Sequence, residues 1–262
     1  MSALPHSSSA DGSTAVGPAP GDVRRMFAEV APRYDFLNRA LSGGIDVLWR
    51  RKTVAAGLGT ENGDLPRVLD VCTGTADLAL SFAARGCEVV GADFCLEMLG
   101  RGRDKVVQRG AESRLRLVAA DTLHLPFADE SFDVCSVAFG IRNVADPVAG
   151  LAEMARVLRP GGRVLVLEFS RPRTPVLGKL YLWYFRRVLP KLGALLSPRS
   201  RSTSAYDYLP TSVMAFPDRD DFLALMQRAG LVEPRYDLFS IGIASLYVGV
   251  KPARVTGVEA RG

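Results

Sequence analysis

The stretch Asp70-Val71-Cys72-Thr73-Gly74-Thr75-Ala76-Asp77 decides how this chain reads. It continues a β-branched run beginning at Arg67 and leads into a helical pattern from Asp77 to Arg85. A strand, a glycine turn and a helix in that order open a βαβ unit. Working outward, further strands are expected at Glu88–Ala92, Leu115–Ala120, Phe132–Ala138 and Arg163–Glu168. Helices are expected at Cys95–Arg109 and Asp146–Leu158, the second closed by Arg159-Pro160-Gly161-Gly162 as a stop and tight turn. This alternation implies an open, doubly wound α/β sheet. A helix follows from Pro217-Asp218 to about Ala229, and the strands Arg235–Leu238 and Ala244–Val250 lie too close together for a crossover helix. They must pair antiparallel. The expected core is a mostly parallel seven-stranded sheet with an antiparallel last strand. Upstream, Val23–Gly57 is helical in pattern, is broken at Pro32 and at Ser42-Gly43-Gly44, and reads as an N-terminal helical lid.

The 262 residues suffice for one large α/β domain, and no internal repeat argues for a second. The expected division is a disordered tail at 1–22, a single domain at 23–251 with the lid at 23–57, and a second tail at 252–262. The first tail is rich in Ser, Ala, Gly and Pro and lacks the apolar stretch of a signal peptide. Apolar runs such as Val164-Leu165-Val166-Leu167 fall short of the roughly 20 residues of a membrane-spanning helix. The four cysteines form no Cys-x-x-Cys pair and the two histidines lie far apart, so neither a structural metal nor a disulfide framework is expected. The reading is a cytoplasmic protein.

The formal net charge of +5 is unevenly spread. Between Arg171 and Arg201 lie eight Lys and Arg and no acid, with Leu177, Tyr181, Tyr184 and Val188 at helical spacing. Residues 171–215 therefore read as a basic amphipathic insert. It suits peripheral contact with an anionic membrane at its inner face, or else a helix whose apolar stripe packs on the sheet.

Ligands of open α/β sheets sit beyond the carboxyl ends of the strands. After the first strand, Gly74 allows close backbone approach and Thr75 offers a hydroxyl at a helix start, although a glycine turn there also serves structure alone. Asp93 ends the second strand, where a carboxylate accepts two ribose hydroxyls or caps the next helix. Asp121-Thr122 ends the third, placed for an adenine amine. Three acidic strand ends (Asp70, Asp93, Asp121) would repel a pyrophosphate and suit a cationic, nucleoside-bearing ligand.

These residues, with Pro126 to Asp133 (Pro-Phe-x-x-x-Ser-Phe-Asp) and Arg156 to Gly162 (Arg-Val-Leu-Arg-Pro-Gly-Gly), resemble the S-adenosylmethionine-dependent methyltransferases of Rossmann-like fold. More narrowly, Tyr34 to Arg50 and Phe139-Gly140-Ile141-Arg142-Asn143-Val144 through Glu168-Phe169-Ser170 resemble the quinone C-methyltransferases of menaquinone and ubiquinone biosynthesis. Ala205 to Pro210 and Phe216-Pro217 are similar to that family too, so the likeness spans about Val23 to Lys251. The chain departs from the pattern with Asp46 for His, Ala76 for Gly, Asp121 for Asn and Ala138 for Ser.

The resemblance implies S-adenosyl-L-methionine as cofactor, held by Gly74, Thr75, Asp93, Asp121 and Thr122, and a polyprenylated quinol as substrate. Demethylmenaquinol is the first expectation. A ubiquinone-pathway benzoquinol and a soluble phenol are the alternatives. Methylating a ring carbon calls for a phenolate, and an ordinary phenol has a pKa of about 10. Arg142 is the expected stabiliser of that charge, with a salt bridge to a strand-end acid as its other reading. Asn143 and Tyr34 are expected to orient ring hydroxyls, Tyr34 alternatively packing the lid. His124 reads as incidental, and Cys72 and Cys95 as small apolar filling. A nucleic-acid substrate is disfavoured, because the basic run shares its helix with apolar residues and no Asn-Pro-Pro-Tyr or Pro-Cys motif is present. Homo-oligomerisation is left open.

Overall fold

A computed structural model of the chain describes residues 20–31, 39, 42–59, 64–173, 208 and 211–254. Strands β1 (Arg67–Val71), β2 (Glu88–Asp93), β3 (Leu115–Ala119), β4 (Phe132–Ala138), β5 (Leu158–Phe169), β6 (Val232–Phe239) and β7 (Ala244–Val250) form one sheet in the order β3-β2-β1-β4-β5-β7-β6. The five first strands run parallel, and β7 is antiparallel to both β5 and β6. Val68, Leu69 and Val71 of β1 are fully buried, as both faces of a doubly wound sheet require. Chain order reverses between β1 and β4, which makes their carboxyl ends the switch point where a cleft opens.

Helices α1 (Pro20–Val30), α2 (Asp46–Leu58), α3 (Asp77–Ala83), α4 (Leu96–Gln108), α5 (Pro147–Val157) and α6 (Asp220–Arg228) cover the sheet. The start of α5 is set locally: Asp146 accepts from the amides of Val148 (2.9 Å) and Ala149 (3.0 Å), and Pro147 opens the first turn. Helix α1 begins at Pro20, inside the stretch expected to be tail.

Besides shifts such as β6 beginning at Val232 and not Arg235, three expected features change. Strand β5 starts at Leu158, not Arg163, because Arg159-Pro160-Gly161-Gly162 forms an irregularity within the strand: the register against β4 shifts between Phe132 and Val134. Gly161 has φ +79, and a side chain on Gly162 would stand 2.8 Å from the Arg159 carbonyl. Helix α6 starts at Asp220 because Arg219 is left-handed (φ 57) and gives its amide to the Tyr247 hydroxyl at 2.7 Å.

The third change concerns the expected lid. Phe27 and Ala28 of α1 rest on Cys95 and Met98, beside the cleft. By contrast, α2 belongs to the core. Trp49 is 2% exposed, stacks obliquely on Phe139 and edge-on to Phe169, and donates to the Ser240 hydroxyl at 2.9 Å. Trp49→Ala is expected to cost about 3–5 kcal/mol, as a core cavity does. Urea denaturation checks this, and a loss below about 1 kcal/mol would return α2 to the status of a cover.

Candidate active site

The β1 turn is wound by left-handed residues at alternate positions, with φ 48 at Cys72, 56 at Gly74 and 66 at Ala76. Glycine fits such positions best, so Ala76, where the family pattern often carries Gly, holds a strained backbone. The turn is tied down from beneath. Asp70, fully buried, accepts from the hydroxyls of Thr73 and Ser136, each at 2.7 Å. It faces inward and shapes the turn.

Asp93 is the junction of two elements. One oxygen accepts from the Gly74 amide and the other from the Cys95 amide, both at 2.8 Å, joining the β1 turn to the start of α4. A carboxylate has about four acceptor positions. The two amides leave acceptor capacity for a ligand. Burial lifts the Asp93 carboxyl above its ordinary range, against the pull of the Cys95 and Gly74 amides. The cap and the ligand acceptor expected of Asp93 are thus geometrically compatible.

An open cleft lies over this junction. Gly74, Asp93, Asp121, Thr122 and Asn143 line it, with Phe27, Phe94, Met98 and Leu123 as apolar walls. Asp121 is exposed and accepts from the Leu123 amide at 2.9 Å, while the Thr122 hydroxyl contacts Cys72 Sγ at 3.4 Å. Among the described residues the lining holds two carboxylates and no Lys or Arg. A pyrophosphate meets no cation from those residues, whereas a cationic nucleoside meets both charge complement and acceptors, so these residues fit an adenosyl sulfonium.

Two expected site residues lie elsewhere. Thr75 is buried, and its hydroxyl accepts from Lys105 Nζ at 3.0 Å while the same nitrogen pairs with Asp77 at 2.5 Å. It borders a small cavity behind the turn, not the main cleft. Arg142 is buried as well. Its Nη1 donates to the Phe139 carbonyl (2.6 Å) and to Glu168 (2.7 Å), so the salt bridge to a strand-end acid is what the fold builds. Glu168 pairs with the guanidinium, and Arg142 is not among the described residues that line the cleft. Asn143, the next residue, does reach the cleft, and its Oδ1 accepts from the Tyr208 hydroxyl at 2.9 Å. Tyr34 lies outside the described residues.

Glu168 and Tyr208 are functional candidates that sequence reasoning passed over. Both sit in stretches quoted for the family resemblance, and that was their only signal. His124 is exposed. Burial pushes the Cys72 thiol up to about 12 and the Cys95 thiol up to about 11, as expected of inert filling.

Burial also pushes the Asp70 carboxyl up from 3.8 to about 6, against the hydrogen bonds from Thr73 and Ser136. The folded chain therefore holds this proton more tightly than the unfolded one. The resulting stability is full below about pH 4 and is lost as pH rises to about 6. Relative to Asp70→Asn, the wild type is expected to lose about 2–3 kcal/mol of unfolding free energy between about pH 4 and 7. Denaturation of both proteins across that range checks it, and parallel pH curves would contradict it.

Residues 16–251 match the model of the ubiE/COQ5 methyltransferase family. The demethylmenaquinone methyltransferase of Thermus thermophilus is 49% identical over 229 residues, covering 87% of this chain and 100% of that protein. The ubiquinone/menaquinone biosynthesis C-methyltransferase UbiE of Geotalea daltonii is 47% identical over 232 residues, covering 87% of this chain and 96% of that one. Among solved structures, the [4+2]-cyclase SpnF superposes with a TM-score of 0.62 at 16% identity, over 90% of this chain and 97% of its own. A SAM-dependent methyltransferase from Thermotoga maritima does so with a TM-score of 0.58 at 18% identity, over 86% of this chain and 99% of its own. Those two likenesses concern the fold, which is the Rossmann-like one. With its strand order, its acidic cleft and a family match along most of its length, the chain belongs to the ubiE/COQ5 methyltransferase family.

Proposed function

We propose that this protein uses S-adenosyl-L-methionine to methylate a ring carbon of a polyprenylated quinol, converting demethylmenaquinol to menaquinol. The observation that carries this reading is the cleft in which two carboxylates and the Asn143 amide meet beside Phe139, with no Lys or Arg among the described lining residues. A relative matched along its whole length bears the name demethylmenaquinone methyltransferase, which favours the naphthoquinol over a benzoquinol.

When bound, S-adenosyl-L-methionine supplies an electrophilic methyl group on a sulfonium. Asp93 offers its remaining acceptor capacity to the ribose hydroxyls, and Gly74 leaves room for the backbone to approach. Asp121 and Thr122 accept from the adenine side, and the paired carboxylates favour the positive charge. On the substrate side, the Tyr208 hydroxyl occupies Asn143 Oδ1, which leaves the Asn143 NH2 to donate to a ring oxygen. A fixed neutral donor there stabilises charge that develops on that oxygen. Arg142 is a positioning residue in this reading. By holding the Phe139 carbonyl and Glu168 it pins the turn that carries Asn143.

The quinol tail brings the protein to a lipid surface, and the basic insert at 171–215 is our proposed contact. Of its eight cations, Arg171 (2.8 Å) and Arg173 (3.5 Å) reach Asp218, and the other six lie outside the described residues. No helix among the described residues is long and apolar enough to cross a membrane.

Incubating the purified protein anaerobically with S-adenosyl-L-methionine and a short-chain demethylmenaquinol is expected to yield the ring-methylated quinol by mass spectrometry. Methylation of a methoxybenzoquinol alone would transfer the assignment to ubiquinone synthesis, and methylation of neither would overturn it.

Asp93→Ala is expected to weaken cofactor affinity at least about tenfold, because hydrogen bonds to a charged acceptor are lost. Calorimetry checks this, and unchanged affinity would sink the role. Asn143→Ala is expected to lower turnover roughly 100-fold with cofactor affinity preserved. If the affinity collapses with turnover, Asn143 belongs to the cofactor side.

A further inference from the structure

Helices α2 and α3 and the end of α4 enclose a second open cleft, of about 1130 Å3, which shares no lining residue with the main one. Five arginines line it (Arg39, Arg50, Arg51, Arg85 and Arg109) against one acid, Asp77. The charge is not balanced locally. Asp77 is already claimed: although burial opposes ionisation, Arg50, Lys105 and Arg39 hold its carboxyl below the ordinary range. Asp46 is buried and pairs with Arg50. Arg51, Arg85 and Arg109 are exposed, and their side chains make no hydrogen bond or ion pair among the described residues.

Arg50 adds an independent sign of a missing partner. Its side chain is 7% exposed, yet its Nε is buried with no acceptor. A buried donor left without a partner is costly, and Arg50 borders both this cleft and the small cavity behind the β1 turn. The planar guanidinium fork matches the oxygens of carboxylates and phosphates. Three unmatched cations around one cavity call for more than the single charge of a carboxylate.

We propose that this cleft is a binding site for a phosphate group, carried either by a soluble phosphorylated metabolite or by a phospholipid head. Nothing in the methyl-transfer reading uses these arginines, so the site stands or falls separately from it.

The test is calorimetric titration of the full chain with inorganic diphosphate at low salt. One variant combines Arg51→Ser, Arg85→Ser and Arg109→Ser. A control of equal charge loss combines Arg101→Ser, Arg103→Ser and Arg116→Ser, all exposed positions off the cleft. The expected result is saturable binding to wild type and control, weakened tenfold or more in the cleft variant. No binding to wild type, or equal weakening in both variants, overturns the proposal, the latter because net charge alone would then explain it. A competition arm with phosphatidylglycerol vesicles assigns the source. Displacement of diphosphate by vesicles supports a lipid head, and its retention supports a soluble phosphate.

Discussion

Two 2.8 Å hydrogen bonds from backbone amides to the carboxylate of Asp93 hold together the part of this protein on which the rest depends. They join the turn after β1 to the first turn of α4, and so fix the separation of β1 and β2, two of the strand ends that line the cleft. The bonds also satisfy the carboxylate on one side only. Its buried position would be costly without them, and its free acceptor positions would be misdirected. In the proposed function, a structural cap and a ligand acceptor are one group.

The same economy recurs at the end of β4. Arg142 and Glu168 neutralise each other inside the protein, and their bonds hold Phe139 (φ 57) in a left-handed turn that presents Asn143. Removing one member of such a buried pair strands the other. Loss of activity in a variant at Arg142 thus reports the integrity of the turn. In the proposed function, the neutral Asn143–Tyr208 pair is the part that meets the ring.

Most of the sheet was legible in the sequence because its strands are short β-branched runs separated by helices of 3.6 periodicity. The antiparallel end was legible from the lack of room for a crossover. What escaped depends on partners distant in the chain. Trp49 sits in a segment with weak amphipathic pattern, yet its indole lands between Phe139 and Phe169 and on Ser240, so a lid became core. Thr75 follows the expected glycine, but Lys105, 30 positions later, captures its hydroxyl. Arg142 was legible as a cation at a strand end. Which acid it would choose was not. Pro160-Gly161-Gly162 reads locally as a stop, and only the register of β4 beside it makes the segment a strand irregularity.

The central claim is that Asp93 serves the fold and the cofactor at once. A crystal structure with S-adenosylhomocysteine tests it most directly. The account predicts both ribose hydroxyls within hydrogen-bond distance of the Asp93 carboxylate, with the Gly74 and Cys95 amides still bound to it. An adenosine seated elsewhere, or a carboxylate that gives up either amide to receive it, would contradict the account.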